Sequence, residues 1–178
     1  MRPAASRLSP PSPLLLEWLP RLEGPVLDLA CGRGRHARAV VEAGLSALGI
    51  DRNLESLRAL AGATPDAPLL AVAADLEGGA GIPVREGAFG TVLVFRYLHR
   101  PLCAEIAARL RPGGRLLYET FTSAQRTLGH GPRRDAHLLE PNELPLLFPG
   151  LVIERFEEVL IGGPHPEALA RLVARRPG

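Results

Sequence analysis

The stretch VLDLACGRGRHA, Val26 to Ala37, decides how the rest of the chain is read. An apolar run leads into a glycine turn and then into a helical pattern. Gly32, Gly34 and Ala37 keep the G-x-G-x-x-G/A spacing with which a strand–turn–helix unit approaches a dinucleotide pyrophosphate. Yet Asp28 stands four residues ahead of the first glycine, inside the apolar run. A carboxylate beside a loop suited to phosphate anions sets the question for the site.

Around this stretch, apolar runs alternate with helical patterns. PVLDLA (25–30) reads as a strand, and residues 35–43 as a helix ended by Gly44. Residues 45–50 form a second strand, followed by a helix over 53–61 with Asn53 as its cap. LLAVAA (69–74) and GTVLVF (90–95) are the third and fourth strands. A helix over 101–110 follows, with Pro101 in its first position. After the turn RPGG, RLLYETF (115–121) is the fifth strand. Alternation of this kind implies β-α-β units and a mostly parallel sheet. A short helix over 140–148 precedes LVIERFEEVLI (151–161) and ALARLVARR (168–176), which have no helix between them. GGPHPE therefore joins two antiparallel strands.

At 178 residues the chain suffices for one domain with a substantial core. Residues 25–178 are expected to form that domain. Residues 1–24 would make an arm with a short helix over 14–22, and 122–140 a lid loop. No apolar run is long enough to span a bilayer, and Glu17, Trp18 and Pro20 interrupt the Leu14–Leu16 cluster. The expectation is a cytoplasmic chain, monomer or homodimer, with no membrane partner. Cys31 and Cys103 make no disulfide framework, and five scattered histidines give no metal-ligand spacing, so no metal is expected. All 21 basic residues are arginine, but the net charge is only +2, which does not call for a nucleic-acid partner.

Ligands of open parallel sheets sit beyond the carboxyl ends of the strands. That edge gathers residues 28–34, Asp51 with Arg52, Asp75, residues 96–100 and residues 119–122. Against a pyrophosphate, an ionised Asp28 at roughly 4 Å would oppose each charge by about 4 kcal/mol at an effective dielectric near 20. An amino acid with an adjoining sulfonium cation reverses that sign, which favours S-adenosylmethionine over a dinucleotide. Asp51 suits ribose hydroxyls in either cofactor, and Asp75 suits an exocyclic amine. Arg33 and Arg35 favour anions; Arg35 is the candidate for the methionine carboxylate.

With these residues in place, the sequence resembles the class I S-adenosylmethionine-dependent methyltransferases. VLDLACGRGRHA, LGIDRN, AADLE, FGTVLVFRYLHRPL and LRPGGRLLYETF look like that family's successive motifs. ACGRGRHA, RYLHRPL and LLYETF are similar to small bacterial members of the tellurite-resistance type. Ala30 stands where the family more often has its first glycine. The resemblance implies a Rossmann-like three-layer α/β/α sandwich. Its seven-stranded, mostly parallel sheet would have the order 3-2-1-4-5-7-6, closed by a C-terminal antiparallel hairpin.

The resemblance also implies residue roles. Asp28 and the backbone of Ala30, Cys31 and Gly32 would hold the methionyl part, with Gly34 leaving room for it. Asp51 would take the ribose, Arg52 would flank the adenine, and Asp75 and Leu76 would stand at its edge. Backbone at Phe95 and Arg96 would close the site beneath the sulfonium. On the acceptor side, His99 is a candidate general base and Tyr97 a candidate orienting group. Arg100, Glu119, Thr122 and Arg133 are candidate contacts to a small-molecule acceptor, for which the arginines favour an anion. Other readings remain open: Asp28 as a helix cap, His36 as a structural residue, and a cofactor-binding regulatory subunit without catalysis. An NAD(P)-binding oxidoreductase domain is a further alternative.

Overall fold

A computed structural model describes residues 8–63 and 67–178; the first seven residues of the proline- and serine-rich start lie outside the described residues. Helix α1 (Pro13–Trp18) is capped by Ser12, whose Oγ accepts from Leu14 N at 3.2 Å. It ends earlier than the expected Leu22, because Pro20 cannot continue the ladder and a 3-10 turn, Leu19–Arg21, takes over. Then come β1 (Val26–Leu29), α2 (Arg35–Glu42), β2 (Ala47–Asp51), α3 (Leu54–Ala63), β3 (Leu69–Ala73) and β4 (Phe89–Phe95). Asn53 caps α3 as expected, its Oδ1 accepting from Ser56 N at 2.9 Å.

The next helix, α4 (Cys103–Arg109), is shorter than expected, since its first turn, Arg100–Leu102, is 3-10. Strand β5 (Leu110–Phe121) starts before the RPGG turn. Its partner register jumps from Phe89↔Leu110 to Thr91↔Arg115, so the turn is a loop-out within the strand. Helix α5 is a single turn, Glu143–Leu146. Asn142 takes a left-handed φ of 61° and breaks continuity from Glu140, and Pro149 stops the helix on the other side. The last two strands are β6 (Val152–Ile161) and β7 (Glu167–Arg175).

The sheet order is β3-β2-β1-β4-β5-β7-β6. Strands β1 to β5 pair in parallel, and β7 runs antiparallel to both β5 and β6. Central strands β1 and β4 are buried at every position, as a sheet covered on both faces requires. Period-two alternation divides the core. Val92, Val94, Leu116 and Tyr118 join Ile106 and Phe148 on one face. Leu93, Phe95, Leu117 and Val173 join Leu15 and Val40 on the other. The expected topology, mostly parallel with a late hairpin, is what the chain adopts.

Candidate active site

Helix α2 begins on Gly34, which has a left-handed φ of 72° and no side chain with which to cap. Asp28 does the capping from inside β1: its Oδ2 accepts from Ala37 N at 3.1 Å. This answers the question of the carboxylate beside the glycine turn. Asp28 is fully buried, and burial pushes its carboxyl up to about 7, against the pull of the Ala37 N–H and of Arg35. A Cβ on Gly34 would lie 2.3 Å from Leu60 Cδ1 on α3. Gly34→Ala therefore combines a left-handed backbone penalty with overpacking. The expected loss is about 2–4 kcal/mol, read as a lower urea midpoint at unchanged slope.

Asp51, at the end of β2, ties the glycine loop to α3. Its Oδ2 accepts from Gly32 N at 2.7 Å and its Oδ1 from Asn53 N at 2.8 Å. A carboxylate has about four lone-pair sites, so acceptor capacity remains for a ligand. Asp75 accepts from Glu77 N at 3.0 Å and is otherwise exposed. Three clefts meet along this edge. The first, about 120 Å³, lies among Ala30, Asp51, Arg52, Asp75, Leu76 and Tyr97. The second, about 300 Å³, has Gly32, Cys31, Arg35, Phe95 and Arg96 on one side and Leu8 and Ser9 of the arm on the other. The third, about 280 Å³, includes Tyr97, Phe121, Pro132 and His137. Ala30 is shared by the first two clefts, and Arg96 by the second and third. Tyr97 belongs to the first and the third.

Arg96 takes a left-handed φ of 59° straight after β4, held by its N–H to Glu119 O at 2.8 Å. Its guanidinium is spent on Glu167 through both terminal nitrogens, with Nη2–Oε2 at 2.6 Å, and stacks over Phe121 at 4.8 Å. Tyr97 follows, half-buried; its phenol oxygen is shielded from solvent and makes no hydrogen bond among the described residues. Burial raises that phenol's proton affinity, so it stays a donor.

The arm is fastened over the second cleft. Ser12 N donates to His36 Nε2 at 3.2 Å, Ser12 Oγ to Glu119 Oε2 at 2.9 Å, and Arg35 Nη1 to Pro10 O at 3.2 Å. His36 is buried and stacked on Phe95 at 3.9 Å. Burial, with Arg35 and Arg96 nearby, lowers it to about 3, so it remains a neutral acceptor. The reading of His36 as structural fits this placement.

Four residues expected to touch the acceptor are placed elsewhere. Glu119 is 1% exposed and holds Arg171 Nε at 2.8 Å besides Ser12. Arg100 clamps Glu143 with both branches and donates to the carbonyls of Asp135, Ala136 and Leu138. Thr122 is buried, its N–H on Ala168 O. Arg133 is exposed and donates to Gly129 O at 2.9 Å. Nor does His99 line any of the three clefts; its carbonyl accepts from Leu102 N at the start of the 3-10 turn. Leu98, Thr120 and Phe121 come from the edge segments read from sequence, and Pro132 and His137 from the long loop singled out there, although none was named as a site residue. Glu77, just past Leu76, and Leu8 and Ser9 of the arm were not anticipated, since none carries a periodic signal.

The set fits S-adenosylmethionine. A Cβ at Gly32, φ 53°, would meet nothing within 4 Å, so the loop leaves open space beside the second cleft. The first cleft joins carboxylates Asp51 and Asp75 to buried, apolar Leu76. Among the described residues no group of three or more His, Cys, Asp or Glu side chains is placed to hold a metal ion. No described helix is long and apolar enough to cross a membrane.

Comparison with known proteins agrees with the geometry. The family model described as a methyltransferase domain matches residues 26–114. An uncharacterized methyltransferase of Mycobacterium tuberculosis is 32% identical over 174 residues, covering 92% of this chain and 69% of that protein. Of the solved structures, an S-adenosylmethionine-dependent methyltransferase from Mesorhizobium loti superposes with TM-score 0.74 at 23% identity, over 92% of this chain and 96% of that one. TehB from Haemophilus influenzae gives TM-score 0.76 at 17% identity, over 91% and 61%. At those identities the two structures speak for the fold, while the family match and the mycobacterial relative speak for descent. The chain therefore belongs to the class I S-adenosylmethionine-dependent methyltransferases, with S-adenosylmethionine as its cofactor.

Proposed function

We propose that this enzyme methylates a small molecule in line, with the cofactor in the first two clefts and the acceptor in the third. When bound, S-adenosylmethionine supplies an electrophilic methyl group on a sulfonium sulfur. Asp51 accepts from the ribose hydroxyls with the oxygen capacity left by Gly32 and Asn53. Arg52, Asp75 and Leu76 border the adenine. The backbone of Ala30, Cys31 and Gly32 takes the methionyl part, in the open space beside Gly32; the room expected at Gly34 is taken by Leu60. Asp28 carries the negative charge facing the ammonium, and Arg35 attracts the carboxylate. Backbone at Phe95 and Arg96 closes the floor.

One observation carries the reading: the Tyr97 phenol, without a hydrogen-bond partner among the described residues, stands at the junction of the first and third clefts. There it orients an acceptor atom towards the transferable methyl, and alignment is the main demand of an in-line displacement. The arm and the 122–140 loop exclude water from either side. Support for the loop as a lid comes from its closure by the Thr122–Leu139 bridge and from the two residues, Pro132 and His137, that it contributes to the third cleft. The same organisation supports 25–178 as one catalytic domain with 1–24 as its arm.

The test is calorimetric titration with S-adenosylhomocysteine and with NADH, on the wild type and on Asp51→Ala. Wild type is expected to bind the former alone. Asp51→Ala loses charge-assisted hydrogen bonds and the anchor of the glycine loop, so its affinity should drop about 10²-fold or more. Binding of NADH alone, or unchanged affinity in the variant, would refute the assignment.

A further inference from the structure

The arginines that pointed to an anionic acceptor are engaged elsewhere, and this changes what the third cleft will accept. Arg96, the guanidinium lining it, is held by Glu167 and lies 3.7 Å from Glu119, which also holds Arg171. These two arginines and two glutamates cancel. The remaining titratable lining groups are Glu77, Tyr97 and His137, and the rest is largely apolar, from Leu98, Phe121 and Pro132. An anion there would face Glu77 with the one lining guanidinium already neutralised.

His137 is held in place from both sides. Arg100 donates to Asp135 O at 3.5 Å and Ala136 O at 3.4 Å before it, and to Leu138 O at 2.8 Å after it. Arg100 is itself clamped by Glu143, with Nη2–Oε2 at 2.8 Å. The backbone on either side of one imidazole is thus pinned by a single ion-paired guanidinium. His137, exposed, lines the cleft from the 122–140 loop, whereas Tyr97 lines it from the residues just after β4. Of the lining groups, the shielded Tyr97 phenol is a donor, Arg96 is already paired, and Glu77 is shared with the first cleft, on the cofactor side. Imidazole is the side chain suited to receiving a proton near neutral pH.

We propose that the acceptor is an uncharged, protic nucleophile on an apolar body, a thiol or a phenol, and that His137 takes its proton. The inference rests on the methyltransferase reading above and names the substrate class for that site. In the step, the nucleophile's S–H or O–H bond breaks and its proton moves to the His137 imidazole. The electron pair left behind forms the bond to the methyl carbon. The pair of the old carbon–sulfonium bond stays on the donor sulfur, and the imidazolium returns its proton to water. Arg100 is a positioning residue that acts through His137.

The experiment uses the full chain with benzyl mercaptan and 4-methylphenol as neutral probes, and benzoate and selenite as anions. With S-adenosylhomocysteine bound, a neutral probe is expected to shift the His137 ring nitrogen resonances, while the anions leave them in place. With S-adenosylmethionine, a neutral probe is methylated. His137→Gln then lowers kcat by about 10²-fold with little change in KM or in S-adenosylhomocysteine affinity. Arg100→Lys lowers kcat in the same sense and weakens the ring shift. No shift with either neutral probe, preferential methylation of an anion, or full kcat in His137→Gln would each overturn the proposal. Loss of S-adenosylhomocysteine binding by the wild type would instead bring down the cofactor reading beneath it.

Discussion

Replacing Glu119 by alanine is expected to destabilise the fold by about 3–5 kcal/mol, the range for removing one partner of a buried ion pair. Glu119 is 1% exposed, and its Oε2 accepts from both Arg171 Nε at 2.8 Å and Ser12 Oγ at 2.9 Å. Its Oε1 lies 3.7 Å from Arg96 Nε, an atom with no hydrogen-bond partner of its own among the described residues. Removing the carboxylate leaves the largely buried Arg171 with Glu157, at 3.5 Å, as its one ion-pair partner among the described residues. It also leaves the arm hydroxyl without its acceptor. Urea unfolding would show the loss, and limited proteolysis would show earlier cleavage near Ser12. A midpoint within error of wild type would mean that Glu119 does not anchor this network.

Asp28→Asn is expected to stabilise the protein at alkaline pH and to weaken cofactor binding. Burial raises the Asp28 carboxyl from 3.8 to about 7 in the folded chain. Between those values the folded state holds a proton that the unfolded state has lost. The associated stability is complete below about pH 4, falls as pH rises and is gone above about pH 7. A shift of about three units corresponds to about 4 kcal/mol. Asparagine can still accept from Ala37 N but never ionises. The variant should therefore match wild type near pH 4 and exceed it by up to about 4 kcal/mol at pH 8. A stability difference that does not vary between those pH values would contradict the mechanism. If Asp28 serves the cofactor's ammonium, S-adenosylhomocysteine binding falls about tenfold in the variant.

Much of the architecture was legible because it rests on short-range patterns. The alternation of apolar runs with helical segments, the Asn53 cap and the two consecutive late strands are set by neighbouring residues, and they appear in the structure as read. Boundaries shifted where one residue overrode the pattern, as Pro20 and Asn142 did. The glycine loop was legible too, although the reason for Gly34 was not. That reason is the Leu60 side chain on the following helix.

The sequence by itself determined the succession of strands and helices, through periodicity, and the family, through motifs a few residues long; the strand order followed from the resemblance to that family. Only the tertiary structure decided which charges are spent and which remain. Ser12 finds Glu119 from 107 positions away, Arg171 finds it from 52, and Arg100 closes on Leu138 from 38. A buried charge must be paired wherever packing brings a partner, and no local pattern records that partner. Arginines that looked available for an anion thus became fasteners of the arm and the loop, and a histidine without a motif came to line the third cleft.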